Sequence, residues 1–240
     1  MGAGLLGIGV FAFTVCCAVR LAAEPEAPAH ARQLAAAAYA AAGVLYRTAP
    51  TNTGAAWQFG RACFDWAEFA TNDTQRADLA EQGIAVCRRL VAREPKSAPA
   101  HYYLAMNLGQ LARTKSLGGL KIASELESEL KATRDLDEKL NHAGPDRCLG
   151  LLYLNAPGWP VSVGSRSKAR KHLQRATELA PDYPDNRLNL FEACVRWSDW
   201  NGARNELKAL ETLWPAARTN FTGEAWAKNR ADWERRLERG

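Results

Sequence analysis

An all-α chain wound into a right-handed solenoid of about four helix pairs, with further helices at its ends, is the fold class this sequence predicts. Three observations carry the prediction. Pro181 and Pro215 stand 34 residues apart and close the same phrase: Ala169, Leu173 and Ala176 before the first, Ala203, Leu207 and Leu210 before the second. The register then extends upstream. Counting on from Pro95 places His101, Leu104, Ala105 and Leu108 at repeat positions 4, 7, 8 and 11, and counting on from Pro50 places Phe59, Gly60 and Cys63 at positions 7, 8 and 11. Leu149, Gly150 and Tyr153 repeat that trio. Third, stretches that alternate apolar and polar residues are nearly absent, while Ala, Leu, Glu, Lys and Arg dominate.

A period of 34 residues is the tetratricopeptide signature. Each unit is a helix pair unable to bury its apolar face alone, so units stack, and small residues at positions 8 and 20 (Gly83 occupies the latter in the first unit) let the two helices approach closely. At 240 residues, one elongated unit fits the repeat better than two globules, and 47% hydrophobic with 24% charged residues suits a soluble protein with a real core. The formal charge of +5 is modest. Lys168, Arg170, Lys171, His172 and Arg175 form a basic run that reads as the solvated face of a helix, and nucleic acid is not indicated as a partner.

The first 23 residues are of a different composition. Leu5 to Val19 is an apolar run suited to a signal-peptide core, with Leu21-Ala22-Ala23 as a small-residue cleavage site, and retention as a membrane anchor through residues 4–19 is the alternative. The location expected is therefore periplasmic or exported. Basic residues before the run are missing, Arg20 lies on its far side, and Phe13-Thr14-Val15-Cys16 departs from a lipoprotein box in two places. Residues 24–29 read as a linker and 30–240 as the repeat domain.

Within that domain, residues 30–48 read as a lone second-type helix, with Ala38, Ala42 and Leu45 ahead of Pro50. Unit one, 53–95, carries extra residues around Thr71 to Thr74, where Asp73 or Thr74 is expected to cap the second helix. Unit two starts at Ala98 and continues into the long charged stretch Leu120 to Leu140. Unit three, 143–181, holds an insertion from Asn155 to Ser165, and unit four spans 184–215. The last segment, Thr222 to Arg239, places Trp226, Trp233 and Leu237 on one face and predicts a helix capping the open end of the stack.

Chemistry is scarce. His30, His101, His142 and His172 are scattered, and no metal-ligand spacing, phosphate-cradling glycine loop or nucleophile elbow is present in the repeat domain. No catalytic residue, metal or cofactor is nominated, and the chain is read as non-enzymatic. Cys63, Cys87, Cys148 and Cys194 fall at core positions and are expected as buried thiols, with a Cys63–Cys87 disulfide as the alternative in an oxidising compartment. Positions that face the concave groove are Trp57, Arg61, Phe64 and Asp65, then Tyr102, Met106 and Gln110, then Arg147, Leu151, Leu154 and Asn155, and finally Leu188, Glu192, Val195 and Arg196. An apolar cleft punctuated by Arg61, Arg147 and Arg196 suits an amphipathic acid or a partner helix with an acidic edge. The competing reading packs these residues against the leader, the long helix of unit two or the C-terminal cap, with the arginines paired internally to Asp65 and Glu192. Pro157, Gly158, Trp159 and Pro160 form a stiff loop whose Trp159 either tucks against its own unit or meets a partner.

The stretch Gly144 to Pro160, containing Cys148-Leu149-Gly150-Leu151-Leu152-Tyr153-Leu154-Asn155-Ala156-Pro157-Gly158-Trp159-Pro160, together with the phrase ending at Pro181, resembles the T-component family of tripartite ATP-independent periplasmic (TRAP) transporters. The segment Arg61-Ala62-Cys63-Phe64-Asp65-Trp66-Ala67, with Ala100 to Gly109, is similar to the eukaryotic regulators of microtubule dynamics, which share this divergent solenoid. The resemblance implies a periplasmic helical-repeat protein with an apolar central cavity that docks a substrate-binding protein, assembles as a homo-oligomer and holds a hydrophobic or amphipathic small molecule. Members are often lipoproteins.

Overall fold

The computed structural model describes residues 29–115, 119–223 and 226–238, so the leader (1–23), its proposed anchor (4–19) and most of the linker lie outside the described residues. Among the described residues ten helices follow in order: α1 (Ala29–Thr48), α2 (Thr53–Ala67), α3 (Asp73–Arg93), α4 (Ala98–Arg113), α5 (Gly119–Leu136), α6 (Leu140–Asn155), α7 (Arg166–Leu179), α8 (Pro184–Arg196), α9 (Trp200–Asn220) and α10 (Ala227–Leu237). Among the described residues the one β-type contact is an isolated bridge between Gly158 and Gly164. Successive pairs α2/α3, α4/α5, α6/α7 and α8/α9 stack on one another, with α1 against α2. No described helix is long and apolar enough to cross a membrane.

Local chemistry explains the boundaries. Pro50, Pro95 and Pro181 fall just beyond the ends of α1, α3 and α7, where a residue lacking an N–H cannot continue a helix. The carboxamide of Asn52 accepts from Ala55 N at 2.8 Å to start α2, and Asp199 accepts from Gly202 N at 3.0 Å to start α9. The cap of α3 is Asn72, accepting from Gln75 N at 2.8 Å, instead of Asp73 or Thr74; Asp73 becomes the first helical residue and sets its negative charge at the positive end of the helix.

Close approach within pairs requires the predicted glycines. A Cβ on Gly150 would lie 2.6 Å from Leu173 Cγ and 3.1 Å from Leu173 N, so α6 meets the backbone of α7 there. Gly60 presses on the Cys87 side chain within the first pair, and Gly83 serves the contact between pairs, where α3 meets Asn107 of α4, whose amide donates to Gly60 O at 2.8 Å. One continuous core runs through α3 to α7, with Leu104, Leu126, Leu149 and Leu152 nearly or fully inaccessible. All four described cysteines are buried, and no disulfide joins Cys63 to Cys87; burial pushes the Cys63 thiol up to about 12.

Three boundaries differ from the expectation. α5 stops at Leu136, short of Leu140, and the first residues of α6 after Leu140, namely Asn141, His142 and Ala143, turn left-handed with φ of 51°, 57° and 60°, a kink ahead of the right-handed part of that helix. α9 passes through Pro215 and ends only at Asn220. Ala217 and Phe221, in the extension, bury against Tyr183, Leu188 and Trp233, which offsets the hydrogen bond that proline removes. The third concerns the last helix. α10 does bury Trp233 against α8 and α9, yet it also turns back along the stack: Lys228 Nζ stands 3.8 Å from Glu68 Oε2 at the far end of α2.

Candidate functional site

The groove residues separate into core and surface. Tyr102, Met106, Arg147 and Leu188 are buried, so these four are packing residues instead of an open lining. The physical reason is that neighbouring helices cover them: Tyr102 and Met106 pack in the core shared by α3 to α7, Arg147 bonds Asn186 of α8, and Leu188 packs with Leu210 of α9 and Trp233 of α10. Phe64, Met106 and Cys148 do meet, with Leu126 and Leu130, around a cavity of about 10 Å³, room for roughly one water and no organic acid. Trp57 is half-buried and stacks on Tyr103 at 6.0 Å, while Leu151 and Leu154 are half-buried beside the α8 core.

The three arginines are not brought together. Arg61 is exposed and pairs with Asp65 at 3.3 Å, one turn along α2. Arg196 donates to Asn155 Oδ1 at 2.9 Å. Arg147 is spent inside the protein: Nη1 donates to His142 O at 2.9 Å and to Asn186 Oδ1 at 3.0 Å, Nη2 donates to Asn141 O at 3.2 Å, and the guanidinium lies 5.0 Å over the ring of Tyr183. Its task is to clamp the left-handed turn. Asn186, fully buried, adds a donation to His142 O at 3.2 Å and reaches Ala176 O and Ala180 O at 3.0 Å each. Non-glycine residues in the left-handed region persist only where surroundings over-determine them, and these two side chains do so.

That turn delivers His142 into an aromatic cluster. Its ring stacks on Tyr183 at 4.4 Å and meets Phe221 and Trp226 edge-on at 5.6 and 5.8 Å. Burial, then the neighbouring Arg147 charge, lowers the His142 pKa below its ordinary 6.5, with Asp185 partly opposing. The unfolded chain therefore binds a proton at a higher pH than the folded one. The stabilisation is complete above pH 6.5 and is lost as pH falls from there toward the lowered folded value. Thermal melts of the wild type and of His142→Asn at pH 7.5 and 5.5 are expected to diverge, the wild type losing more on acidification.

On the opposite edge, at the C-terminal ends of α6 and α8, the insertion forms a closed loop. Gly164 N donates to Pro157 O and Ser165 N to Tyr153 O, both at 2.9 Å, and a Cβ on Gly164 would fall 2.7 Å from Pro157 O. Trp159 does not tuck against its own unit: it is 88% exposed, beside exposed Pro160 and Val161. The α8–α9 corner joins the same edge, because Arg196 bonds Asn155 and Arg166 Nη2 donates to Trp197 O at 3.3 Å. Arg166 and Arg170 stack on Trp197 at 5.4 and 4.7 Å, and Trp200 is 58% exposed. Trp197 and Trp200 escaped the sequence reading, since they lie just past the helix where repeat positions stop. Two tryptophans three residues apart, with Ser198 and Asp199 between them, were the available signal; Trp197 is half-buried under the arginines and Trp200 is exposed.

A separate open cleft of about 610 Å³ between α5 and α7 mixes both charge signs, and several of its members are paired: Arg175 bonds Glu138 at 3.0 Å and His172 bonds Asp146 at 2.7 Å. Among the described residues no group of three or more His, Cys, Asp or Glu is placed to hold a metal ion.

The family model described as regulator of microtubule dynamics protein 1-3 matches residues 28–125. That span contains α1 to α4 and both segments on which the sequence similarity to those regulators rests. The crystal structure of a thermophilic TPR protein from Thermus thermophilus superposes with a TM-score of 0.61 at 20% identity, covering 89% of this chain and 95% of that one. The chain is a tetratricopeptide-like helical solenoid. Comparison with curated protein sequences finds no match. Identity of this order speaks for the fold of the solenoid alone, so the TRAP T-component role rests on the sequence resemblance.

Proposed function

We propose that this solenoid is a non-enzymatic scaffold that docks a protein partner on the edge formed by the Pro157–Pro160 loop and the α8–α9 corner. The observation that carries the reading is Trp159, 88% exposed on a loop closed by its own backbone hydrogen bonds. An indole held in water costs apolar hydration and offers a rigid, amphipathic anchor, and tryptophan with arginine is the composition of interface hot spots. Trp200, Arg166 and Arg196 on the same edge supply the arginine-bearing surround.

The narrower reading places the protein outside the cytoplasm, exported by residues 1–23, with the substrate-binding protein of a solute transporter as the first partner to test. Support comes from the leader-like composition and from the TRAP T-component resemblance through Gly144 to Pro160. Storage of an amphipathic acid is not favoured, because the apolar space beside Phe64 and Met106 is about 10 Å³.

Trp159→Ala is the test. Because the side chain contacts mostly water, the melting temperature is expected to stay within about 2 °C of wild type, while affinity for the captured substrate-binding protein falls by about tenfold or more. Unchanged affinity in calorimetry overturns the assignment of this loop.

A further inference from the structure

The C-terminal helix makes contacts unlike those of a simple end cap. Arg236, about nine-tenths buried, donates from Nε to Glu192 at 2.7 Å, from Nη1 to Asp185 at 3.0 Å and from Nη2 to Asn189 at 2.7 Å. Those three acceptors are spaced along one face of α8, and Glu192 is a groove position. At the other end of α10, Lys228 pairs with Glu68 at 3.8 Å and lies 4.8 Å over the ring of Phe69, both at the end of α2. Between them Trp226 meets His142 and Tyr183, and Trp233 meets Tyr183 edge-on at 5.6 Å. A single short helix thus bridges the first helix of the fourth pair to the first helix of the first, across the inner side of the stack.

We infer that α10 is an intramolecular ligand of the concave face, and that the same face takes, when α10 leaves, an amphipathic partner helix with the same chemistry. That chemistry can be read off α10 and its site. Aromatic rings stand at Trp226 and Trp233, seven residues apart, with the basic group of Lys228 between them in sequence and that of Arg236 three residues after the second. The site answers with an aromatic floor of His142, Tyr183 and Phe221 and with carboxylates at Glu68, Asp185 and Glu192. The contact is held by charges at its two ends and is imperfect in its middle, where the buried indole Nε1 of Trp233 has no hydrogen-bond partner among the described residues. A buried donor left unbonded weakens the hold of the native occupant, and a competitor that satisfies it gains the difference. The strained turn at Asn141–Ala143, clamped by Arg147 and Asn186, keeps the floor preformed for either occupant. This surface is distinct from the Trp159 edge, and the inference stands independently of it.

The test uses the full-length protein and, as probe, a labelled peptide of residues 222–240 with blocked ends. Arg236→Glu removes the latch from α10 and leaves the groove intact, and Lys228→Glu is a second latch variant at a partly exposed position. In hydrogen exchange, amides of residues 227–237 are expected to lose protection in both variants while α2 to α9 keep theirs. The probe is expected to bind the variants at least tenfold more tightly than it binds wild type, with affinity falling as salt rises. Adding Glu192→Lys in the groove to Lys228→Glu is expected to abolish that binding. Retained protection of α10 in both latch variants, equal probe affinity for wild type and variants, or indifference to Glu192→Lys each overturns the inference.

Discussion

Replacing Arg147 by Met is expected to cost about 2–4 kcal/mol of folding stability, because three acceptors, buried or partly so, lose the Arg147 donor together and His142 O keeps only its 3.2 Å bond from Asn186. The carbonyl oxygens of Asn141 and His142 and the Oδ1 of Asn186 all take hydrogen bonds from this guanidinium. Methionine fills much of the volume, so the loss reports the hydrogen bonds instead of a cavity. With the clamp gone, the left-handed turn loses most of what holds it, and the aromatic cluster around His142 loosens with it. For a chain of this size the melting temperature is expected to fall by roughly 4–16 °C. Arg61→Met is the matched control. Its exposed pair with Asp65 at 3.3 Å contributes less than about 1 kcal/mol, so its melt is expected to overlay the wild type. Equal, small effects for both substitutions overturn the structural role given to Arg147.

Gly150→Val is expected to be the most damaging single change in the solenoid. Even the first added carbon would stand 2.6 Å from Leu173 Cγ and 3.1 Å from the backbone nitrogen of the same residue, so a rotamer change of Leu173 does not relieve the contact. α6 and α7 must separate, and Leu173, fully buried, opens toward solvent with them. Overpacking of this kind costs about 1–3 kcal/mol for one or two methylenes and more where backbone blocks the relaxation. Denaturant melts are expected to show a lower midpoint, or loss of cooperativity between the third pair and the rest of the stack. Gly54→Ala in the first turn of α2 is the comparison. Its nearest neighbour to an added Cβ is the capping Oδ1 of Asn52 at 3.2 Å, the end of a flexible side chain that need give only a few tenths of an ångström, so a change within about 1 kcal/mol is expected. A Gly150→Val protein as stable as wild type contradicts the close helix approach.

Much of the fold was legible because the repeat encodes its own packing. Pro50, Pro95 and Pro181 end helices where the count puts them, and Gly60 and Gly150 sit where two helices must touch. The final segment was legible as a helix with Trp233 on its buried face. The site was legible only in fragments. Positions 2, 5, 9, 12 and 13 of each first helix are counted on the assumption that those helices line an open groove, and Tyr102, Met106, Arg147 and Leu188 turned out to be enclosed. Arg147 reads like any groove arginine until the left-handed carbonyls of Asn141 and His142 are placed beside it. Asn141-His142-Ala143 contains no glycine to announce a positive φ.

The sequence by itself determined what depends on neighbours along the chain: helix content, the pairing of helices, the small residues at their crossings and the stiff loop around Trp159. Tertiary structure alone decided the rest. α9 runs through Pro215 because Ala217 and Phe221 find a core to bury in, Trp159 faces water because its loop closes on itself, and α10 crosses from α8 to α2 because Arg236 and Lys228 find carboxylates at both ends. Each of these outcomes turns on contacts between residues far apart in the chain, and a periodic pattern carries no record of them.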